Sequence, residues 1–452
     1  GREVARVHHG SMSREAREQV EAELKAGRLP CLVATSSLEL GIDVGAVDLV
    51  IQIESPGTVS RGLQRVGRAG HVLGAVAKGR LLPKYRGDLL ETAGIVREMR
   101  RGDLEEIRVP TGALDVLAQQ IVAMAAMDEW RVDDLLALVR RAWGYRDLTE
   151  RQLHGVLEML AGRYPAAEFR ELRPRIVWDR EAGVIRGREG ARALAVLSGG
   201  TIPDRGYYTV YLEGSDVKLG ELDEEFVYES RVGDVFLLGS ATWQIRAIEH
   251  DRVVAAPAPG RMPRMPFWKG EGSGRPLELG RKLGAFTGEI AARLHDPDIL
   301  QWLQAECCLD ERAARNLVQY LRDQVAHTGL VPTDRRLVLE RFPDELGDQR
   351  IALLSPFGGR VNAAWGMVIR ARIRQLLQLE AEVTTSDDVI HIRLPGADRP
   401  LDPEALVRID PDEAAELLLQ EVGATPLFGA HFRMNAGRAL VLPRPRPGKR
   451  RP

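Results

Sequence analysis

Cysteine, lysine and long apolar runs are all scarce in this chain of 452 residues. It has three cysteines, of which Cys307 and Cys308 are adjacent, so we expect neither a disulfide framework nor a cysteine-rich zinc site. This pattern predicts a reducing, cytoplasmic location. No run approaches the roughly 18 apolar residues of a spanning helix, and residues 1–3 show neither an initiator methionine nor a signal peptide. We therefore expect no membrane association and a chain cut from a longer one.

Positive and negative charges balance, with 63 Lys and Arg against 65 Asp and Glu. This balance excludes a uniformly basic coat of the histone kind, so any site for a polyanion must be local. Only 7 of the 63 basic residues are lysines. Arginine is favoured for forked contacts to phosphate, but a genome biased towards arginine codons explains the excess equally well. The length and the 44% apolar content predict about three domains.

The first stretch, residues 1–105, alternates helix and strand. An amphipathic helix is expected after Ser13, and short apolar runs at Cys31 to Thr35 and Leu49 to Ile53 are typical of strands. Such alternation predicts a parallel α/β sheet. Because ligands of these sheets bind beyond the carboxyl ends of the strands, the following loops should carry the chemistry.

Residues 106–197 are predicted to form three helices followed by a hairpin. Thr149 and Gln152 form a capping box that opens the third helix, and Arg175 to Trp178 with Val184 to Arg186 alternate as hairpin strands do. The arrangement is typical of a winged helix. It lacks an evident basic recognition helix, so DNA binding and a structural role in packing are equally open.

Residues 198–435 are predicted to form an α+β domain, with a small barrel or curled sheet between Tyr207 and Pro257. Asp223, Glu224 and Glu225 are expected in a solvated turn rather than as an acid/base pair. Residues 436–452 form a basic, proline-rich tail, and the basic residues from Arg433 onwards are expected in an extended arm.

The strongest chemical signal is the segment 64–71, Gln-Arg-Val-Gly-Arg-Ala-Gly-His. Arg65 and Arg68 are three residues apart, which would place both on one side of a helix, where they could reach a nucleotide triphosphate. A solvated helix edge is the alternative. Gly67 and Gly70 favour the functional interpretation, because glycine weakens a helix and permits close approach of another backbone or ligand.

Together with the earlier segment 34–44, this segment resembles motifs V and VI of superfamily 2 helicases. The ending in His71, and later segments such as 198–204, 266–271, 353–359 and 427–430, resemble the large helicase-related (Lhr) family over nearly the whole chain. The resemblance implies part of a second RecA-like domain, then a winged helix, then a family-specific α+β domain. It also implies an ATP-dependent helicase that moves 3′ to 5′ on single-stranded DNA, tolerates RNA:DNA hybrids and acts in DNA repair.

The resemblance also implies the roles of individual residues. Arg65 and Arg68 would be an arginine-finger pair acting on ATP. Three residues would contact the nucleotide: Gly41, Asp43 and Gln64. Four would contact the nucleic acid: Thr35, Ser36, Ile202 and Trp268. From the residues alone, burial is the preferred interpretation of Trp268 and is nearly as good as strand contact for Ile202.

The chain contains no Gly-x-x-x-x-Gly-Lys-Ser/Thr segment, and residues 270–275 lack the lysine and hydroxyl that hold phosphate and Mg²⁺. ATP and Mg²⁺ would be bound mainly by a first RecA-like domain, which we expect to precede residue 1, and we predict no metal ligands here. The chain alone should not hydrolyse ATP.

Nucleic-acid binding has separate support in local charge. Residues 55–101 carry ten basic and three acidic side chains, a net charge of +7, and residues 261–282 carry six basic and two acidic ones around Trp268. Such charge with an interleaved aromatic residue suits a single strand. Two alternatives remain: a non-catalytic nucleic-acid-binding platform, and a protein adaptor whose binding would be indifferent to salt.

Overall fold

The chain divides into two compact units, Gly1–Glu106 with Gly272–Glu421 and Ile107–Glu271 with Val422–Pro452. None of the described helices has the length and apolar content needed to cross a membrane. The computed structural model describes residues 4–8, 14–35, 39, 47–70, 76–163, 172–202, 207–238, 241–249, 252–261, 274–345, 347–394 and 402–442. Four residues for which the sequence predicts a role lie outside these ranges: Ser36, Gly41, Asp43 and Trp268.

Short strands and helices alternate at the start of the first unit. β1 pairs with β2, and β3 pairs with β4, both in parallel, which confirms the predicted parallel α/β segment. α2 packs closely on its neighbours, because a Cβ atom on Gly62 would lie 2.7 Å from Met99 of α3 and one on Gly79 would lie 2.6 Å from Val66. The elements are β1 (Ala5–His8), α1 (Arg14–Lys25), β2 (Cys31–Ala34), β3 (Val50–Ile53), α2 (Val59–Val66), β4 (Gly79–Leu82) and α3 (Arg86–Arg101).

The predicted winged helix is confirmed. Its three helices and a three-stranded sheet in the order β5-β7-β6 enclose one apolar core, which includes Ile121, Leu135 and Leu157. Both halves of the capping box between Thr149 and Gln152 are present. The elements are α4 (Leu114–Ala125), β5 (Trp130–Arg131), α5 (Val132–Arg140), α6 (Glu150–Leu160), β6 (Ile176–Asp179), β7 (Val184–Gly187) and α7 (Ala191–Leu197).

A five-stranded sheet follows, in the order β10-β11-β12-β8-β9. Within this sheet the β12–β8 pair is parallel and the other described pairs are antiparallel. The expectation of a solvated turn at Asp223 and Glu224 is wrong. Both residues are buried, because the chain turns there from a strand directly into a short helix that packs on the sheet. The elements are β8 (Tyr207–Leu212), β9 (Lys218–Asp223), α8 (Glu224–Glu229), β10 (Val235–Leu238), β11 (Ala241–Ile248) and β12 (Arg252–Pro257).

Helices and a second antiparallel sheet, in the order β13-β14-β16-β15, complete the first unit. Phe286 and Ile290 pack with Leu89 and Ala93 of α3, so the core of these helices is continuous with the RecA-like segment. The elements are α9 (Leu277–Ala292), α10 (Ile299–Cys307), α11 (Glu311–Thr328), β13 (Val338–Pro343), β14 (Gln349–Leu354), α12 (Gly359–Leu377), β15 (Glu382–Thr385), β16 (Val389–Leu394), α13 (Pro403–Val407) and α14 (Pro411–Val422).

The last described element is α15 (Pro426–Arg438), within the second unit. Its first turn is capped by the Thr425 hydroxyl, which accepts a hydrogen bond from the Phe428 backbone N–H at 3.2 Å. The expectation of an extended arm is therefore wrong for Arg433 and Arg438. Arg438 also forms an ion pair with Asp115 at 2.5 Å, and this pair joins the helix to the winged helix.

Candidate functional site

The site is built at the carboxyl ends of β2 and β3, where ligands of parallel α/β sheets bind. Thr35 directly follows β2, is exposed, and donates its backbone N–H to the His8 carbonyl at 3.3 Å. Its hydroxyl therefore lies at the sheet edge expected for a strand-contacting residue. Its contact with nucleic acid stays a prediction.

The start of α2 is held by two independent groups. The Thr58 side chain accepts a hydrogen bond from the Arg61 N–H at 3.2 Å. The Glu105 carboxylate accepts hydrogen bonds from the Val59 N–H at 2.5 Å and the Ser60 N–H at 3.0 Å. Burial would raise the pKa of Glu105, but these backbone donors hold it below its usual value. The helix that carries Arg65 is thereby fixed at its amino end.

Arg65 and Arg68 converge on one residue, Glu39. Arg65 donates from Nε to the Glu39 carboxylate at 2.7 Å and pairs with it through Nη2, while its Nη1 donates to Gln52 Oε1 at 2.9 Å. Arg68 donates from Nη2 to the Glu39 carbonyl at 3.0 Å. The side chain of Arg65 is about one quarter exposed. The two cations are therefore adjacent, as the spacing predicts, and are oriented by a shared acceptor residue.

The helical part of that prediction needs correction. α2 ends at Val66, Gly67 is its C-cap, and Arg68 lies in the turn that follows rather than on the same helix. Gly70 has φ +75°, and a Cβ atom there would lie 3.2 Å from the Ala77 backbone nitrogen. Glycine is needed at this position for both reasons. The expected close approach is thus to the chain's own backbone.

Of the remaining candidate residues, the structure describes Gln64 and Ile202. Gln64 is exposed on α2. Ile202 is 89% exposed, which excludes plain burial and leaves the strand contact as the prediction for it. Ser36, Gly41, Asp43 and Trp268 lie outside the described residues.

Much of the expected positive surface is neutralised within the first unit. Arg97 pairs with Glu289 at 2.7 Å and Arg86 with Asp323 at 2.7 Å, while Arg101 pairs with Glu306 at 3.0 Å. In the second basic segment, Arg275 is buried between carboxylates. The net charge of +7 therefore overstates the charge offered to a polyanion; the basic residues of this stretch that stay exposed include Arg61, Lys78 and Arg80.

The sequence did not predict the two residues that orient the arginine pair, Glu39 and Gln52. Glu39 lies inside the segment 34–44. An acidic residue in that segment was the signal in the sequence that could have pointed to a partner for Arg65. Gln52 lies on β3, and its side-chain amide oxygen accepts the hydrogen bond from Arg65. Neither role follows from spacing alone, because both contacts depend on how the fold brings the segment after β2, the strand β3 and the end of α2 together.

The site offers cations for phosphate but no metal ligands among the residues that the structure describes. In these residues no group of three His, Cys, Asp or Glu side chains could hold a metal ion. His8 is buried, with its Nε2 3.0 Å from the Glu21 carboxylate, so it has a structural partner. Paired guanidinium groups fit the phosphates of a nucleotide, whereas the ligands for Mg²⁺ would have to come from elsewhere.

Three family models match separate parts of the chain. The "Helicase conserved C-terminal domain" matches residues 2–72, the "Large helicase-related protein, winged helix domain" matches residues 97–265, and "DEAD/H associated" matches residues 331–452. The chain belongs to the Lhr family. Its RecA-like, winged-helix and α+β architecture is that of this family, while our domain boundaries at residues 105, 197 and 435 stay predictions.

Curated Lhr proteins match almost the whole chain. A Lhr helicase of Mycolicibacterium smegmatis is 50% identical over 99% of this chain and 30% of that protein. The "Lhr helicase/uracil glycosylase" of Escherichia coli is 48% identical over 99% of this chain and 29% of that protein. The chain therefore spans about 30% of the length of these relatives.

A solved Lhr structure has the same fold. The helicase Lhr of Mycobacterium smegmatis, bound to ssDNA and AMP-PNP, superposes with a TM-score of 0.76 at 45% identity, over 99% of this chain and 53% of that one. That protein binds a nucleotide analogue and a single strand together. The ligand classes predicted for this chain are thus those of a protein with the same fold.

Proposed function

We propose that this chain is part of an ATP-dependent helicase that moves 3′ to 5′ on single-stranded DNA and unwinds DNA or RNA:DNA duplexes in DNA repair. The observation that carries the proposal is the convergence of Arg65 and Arg68 beside the carboxyl ends of parallel strands. Two guanidinium groups placed there can bind phosphate oxygens and offset the charge that develops at the γ-phosphate. The Lhr relative bound to ssDNA and AMP-PNP supports both ligands.

Within this proposal Glu39 orients the arginine pair. Its carboxylate holds Arg65 and its carbonyl holds Arg68, so a triphosphate would meet two donors whose directions are already set. Gln64, Gly41 and Asp43 are proposed to contact the same nucleotide.

The nucleic-acid side of the proposal involves Thr35, Ser36, Ile202 and Trp268. The exposure of Thr35 and Ile202 supports it, because a residue that contacts a strand must be accessible. Basic side chains would contact the phosphates of the strand, while apolar and aromatic side chains would contact its bases.

We assign the remaining nucleotide contacts to a first RecA-like domain of the longer protein. Mg²⁺ bound with ATP would neutralise charge on the transferred phosphoryl group, and its ligands are proposed to lie in that domain. A cytoplasmic location remains a prediction from the low cysteine content.

The test is the double variant Arg65→Ala plus Arg68→Ala in the full-length protein that contains this chain. We expect ssDNA-stimulated ATP hydrolysis to fall at least about 100-fold, because arginine fingers contribute about 10³ to 10⁵ in rate, while ssDNA binding stays within about threefold. Arg61→Ala is the matched control, since Arg61 is an exposed arginine of the same helix. At saturating ssDNA it should leave hydrolysis unchanged.

A non-catalytic nucleic-acid-binding platform is the second candidate function. The ion pair between Arg65 and Glu39 favours it, because an arginine with an internal partner can be purely structural. A platform predicts that the full-length protein hydrolyses no ATP and that the double variant therefore changes no turnover. Measuring hydrolysis in the unmodified protein and in the double variant separates the two functions.

A further inference from the structure

Arg275 is a buried cation that joins three distant parts of the first unit. It is 3% exposed. Its guanidinium donates to Asp388 Oδ1 at 2.6 Å from Nη1, pairs with Glu91 of α3 through Nη2, and donates to the Pro356 carbonyl at 3.3 Å. Burial would lower the pKa of Arg275, but the carboxylates of Asp388 and Glu91 raise it above its usual value. The side chain is therefore charged and held on both sides.

The backbone around Arg275 is fixed as closely as its side chain. Asp387 Oδ1 accepts hydrogen bonds from the Arg275 N–H at 2.7 Å and the Gly359 N–H at 2.5 Å. Gly358 has φ +90°, and a Cβ atom there would overlap the Arg275 carbonyl oxygen. Two chain segments thus cross backbone against backbone. This crossing accounts for the glycine pair in segment 353–359, which the proposed function does not use.

On the other side, the same cluster reaches the loop that leads into α2. Glu91 Oε1 accepts a hydrogen bond from the Ser55 hydroxyl at 2.8 Å. Asp88, one turn earlier on α3, accepts the Ser55 N–H at 2.7 Å. Ser55 lies two residues after the end of β3 and three residues before Thr58, the N-cap of the helix that carries Arg65. The Glu91 carboxylate therefore contacts both Ser55, in the loop that leads into α2, and Arg275.

A buried ion cluster of this kind resists relative displacement of the segments that it joins. Displacing Arg275 from both Glu91 and Asp388 would leave its buried guanidinium without a counter-charge, which is strongly unfavourable. A shift of the chain at Arg275 must therefore be accompanied by Glu91 and, through Glu91, by Ser55. Arg275 lies seven residues after Trp268, the aromatic residue predicted to contact the strand.

We propose that Arg275 is a positioning residue that couples nucleic-acid binding to ATP hydrolysis through Glu91 and Ser55. Arg275 touches neither nucleotide nor strand in this proposal. When the chain at Arg275 shifts, the contacts through Glu91 change the position of residues 55–58, which lead into α2. The inference rests on the proposed function, because coupling requires both a strand and a hydrolysis step.

The test uses two variants in the full-length protein, Asp388→Asn and Arg275→Lys. Asp388 is two-thirds exposed, so Asp388→Asn removes one charge of the cluster with little risk to folding. Arg275→Lys keeps the charge and loses the forked geometry. Arg86→Gln is the matched control, since Arg86 lies on the same helix as Glu91 and its ion pair with Asp323 is exposed. Basal ATP hydrolysis, ssDNA-stimulated hydrolysis and the Kd for ssDNA are measured for each.

For both variants we expect stimulated hydrolysis to fall about tenfold, with basal hydrolysis and the Kd for ssDNA within about twofold of the unmodified protein. Arg86→Gln should change none of the three. A parallel loss of basal and stimulated hydrolysis, or unchanged stimulation in Asp388→Asn, would overturn the proposal. If Arg275→Lys does not fold, Asp388→Asn alone decides. Absence of stimulated hydrolysis in the unmodified protein would instead refute the proposed function.

Discussion

The winged helix and the RecA-like segment are organised by different forces. In the winged helix the large apolar side chains of α4, α5 and α6 point into one core, and Ile121 is fully buried there. In the RecA-like segment alternate strand residues stay in solvent, and Ile51 of β3 is 58% exposed. Order at its strand ends comes instead from polar contacts of Glu39, Glu105 and Ser55. The first region is therefore built for stability, whereas the second places charged groups where a ligand can meet them.

The largest expected effect is the difference in stability loss between Ile121→Ala in the winged helix and Ile51→Ala in the RecA-like segment. Loss of the buried isoleucine should cost about 3 to 4 kcal/mol in the free energy of unfolding, because it leaves a cavity in a packed core. Loss of the exposed one should cost at most about 1 kcal/mol. Urea unfolding of both variants measures the difference. Equal costs would break the comparison, since they would show that the exposed sheet face is packed in solution.

An intermediate effect is expected for Glu105→Gln at the start of α2. The lower pKa of Glu105 in the folded state means that its carboxylate stabilises the fold above its unfolded pKa, about 4.3, and that this contribution is lost as pH falls through the folded pKa. At pH 7 the substitution should cost about 1 kcal/mol, as loss of a helix cap does. Thermal unfolding at pH 7 and pH 3 checks this prediction. A difference between variant and parent that does not shrink at pH 3 would contradict it.

The smallest expected effect on stability is that of Glu39→Gln, which should act on activity instead. The amide keeps the size of the side chain but removes the charge that orients Arg65, so ATP hydrolysis in the full-length protein should fall about fivefold, roughly 1 kcal/mol. The melting temperature should change by less than about 2 °C. Steady-state hydrolysis and thermal unfolding are measured together. Faster hydrolysis would mean that Glu39 restrains the arginine pair rather than orienting it.

Local signals in the sequence predict local structure well. The capping box at Thr149 and Gln152 and the alternation from Arg175 to Trp178 are short-range patterns, and the winged helix follows from them. The spacing of Arg65 and Arg68 likewise predicts their proximity, although α2 ends before Arg68. The onset of α8 at Glu224 was missed because three consecutive acids are also typical of a solvated turn.

Long-range electrostatics could not be predicted in the same way. Glu91, Arg275 and Asp388 are each more than 100 residues apart in the chain and meet only in the folded unit. The partners of the basic stretch 55–101 include Glu289 and Asp323, which no local count of charge would include. Net charge over a segment therefore overestimates what the folded surface presents, because distant carboxylates neutralise part of it.

The central claim is that Arg65 and Arg68 act on a bound nucleotide. A structure of the full-length protein with a non-hydrolysable ATP analogue and single-stranded DNA tests it most directly. We predict that both guanidinium groups lie within about 3 Å of phosphate oxygens. Guanidinium groups that contact only Glu39 and Gln52, with the phosphates out of reach, would contradict the claim.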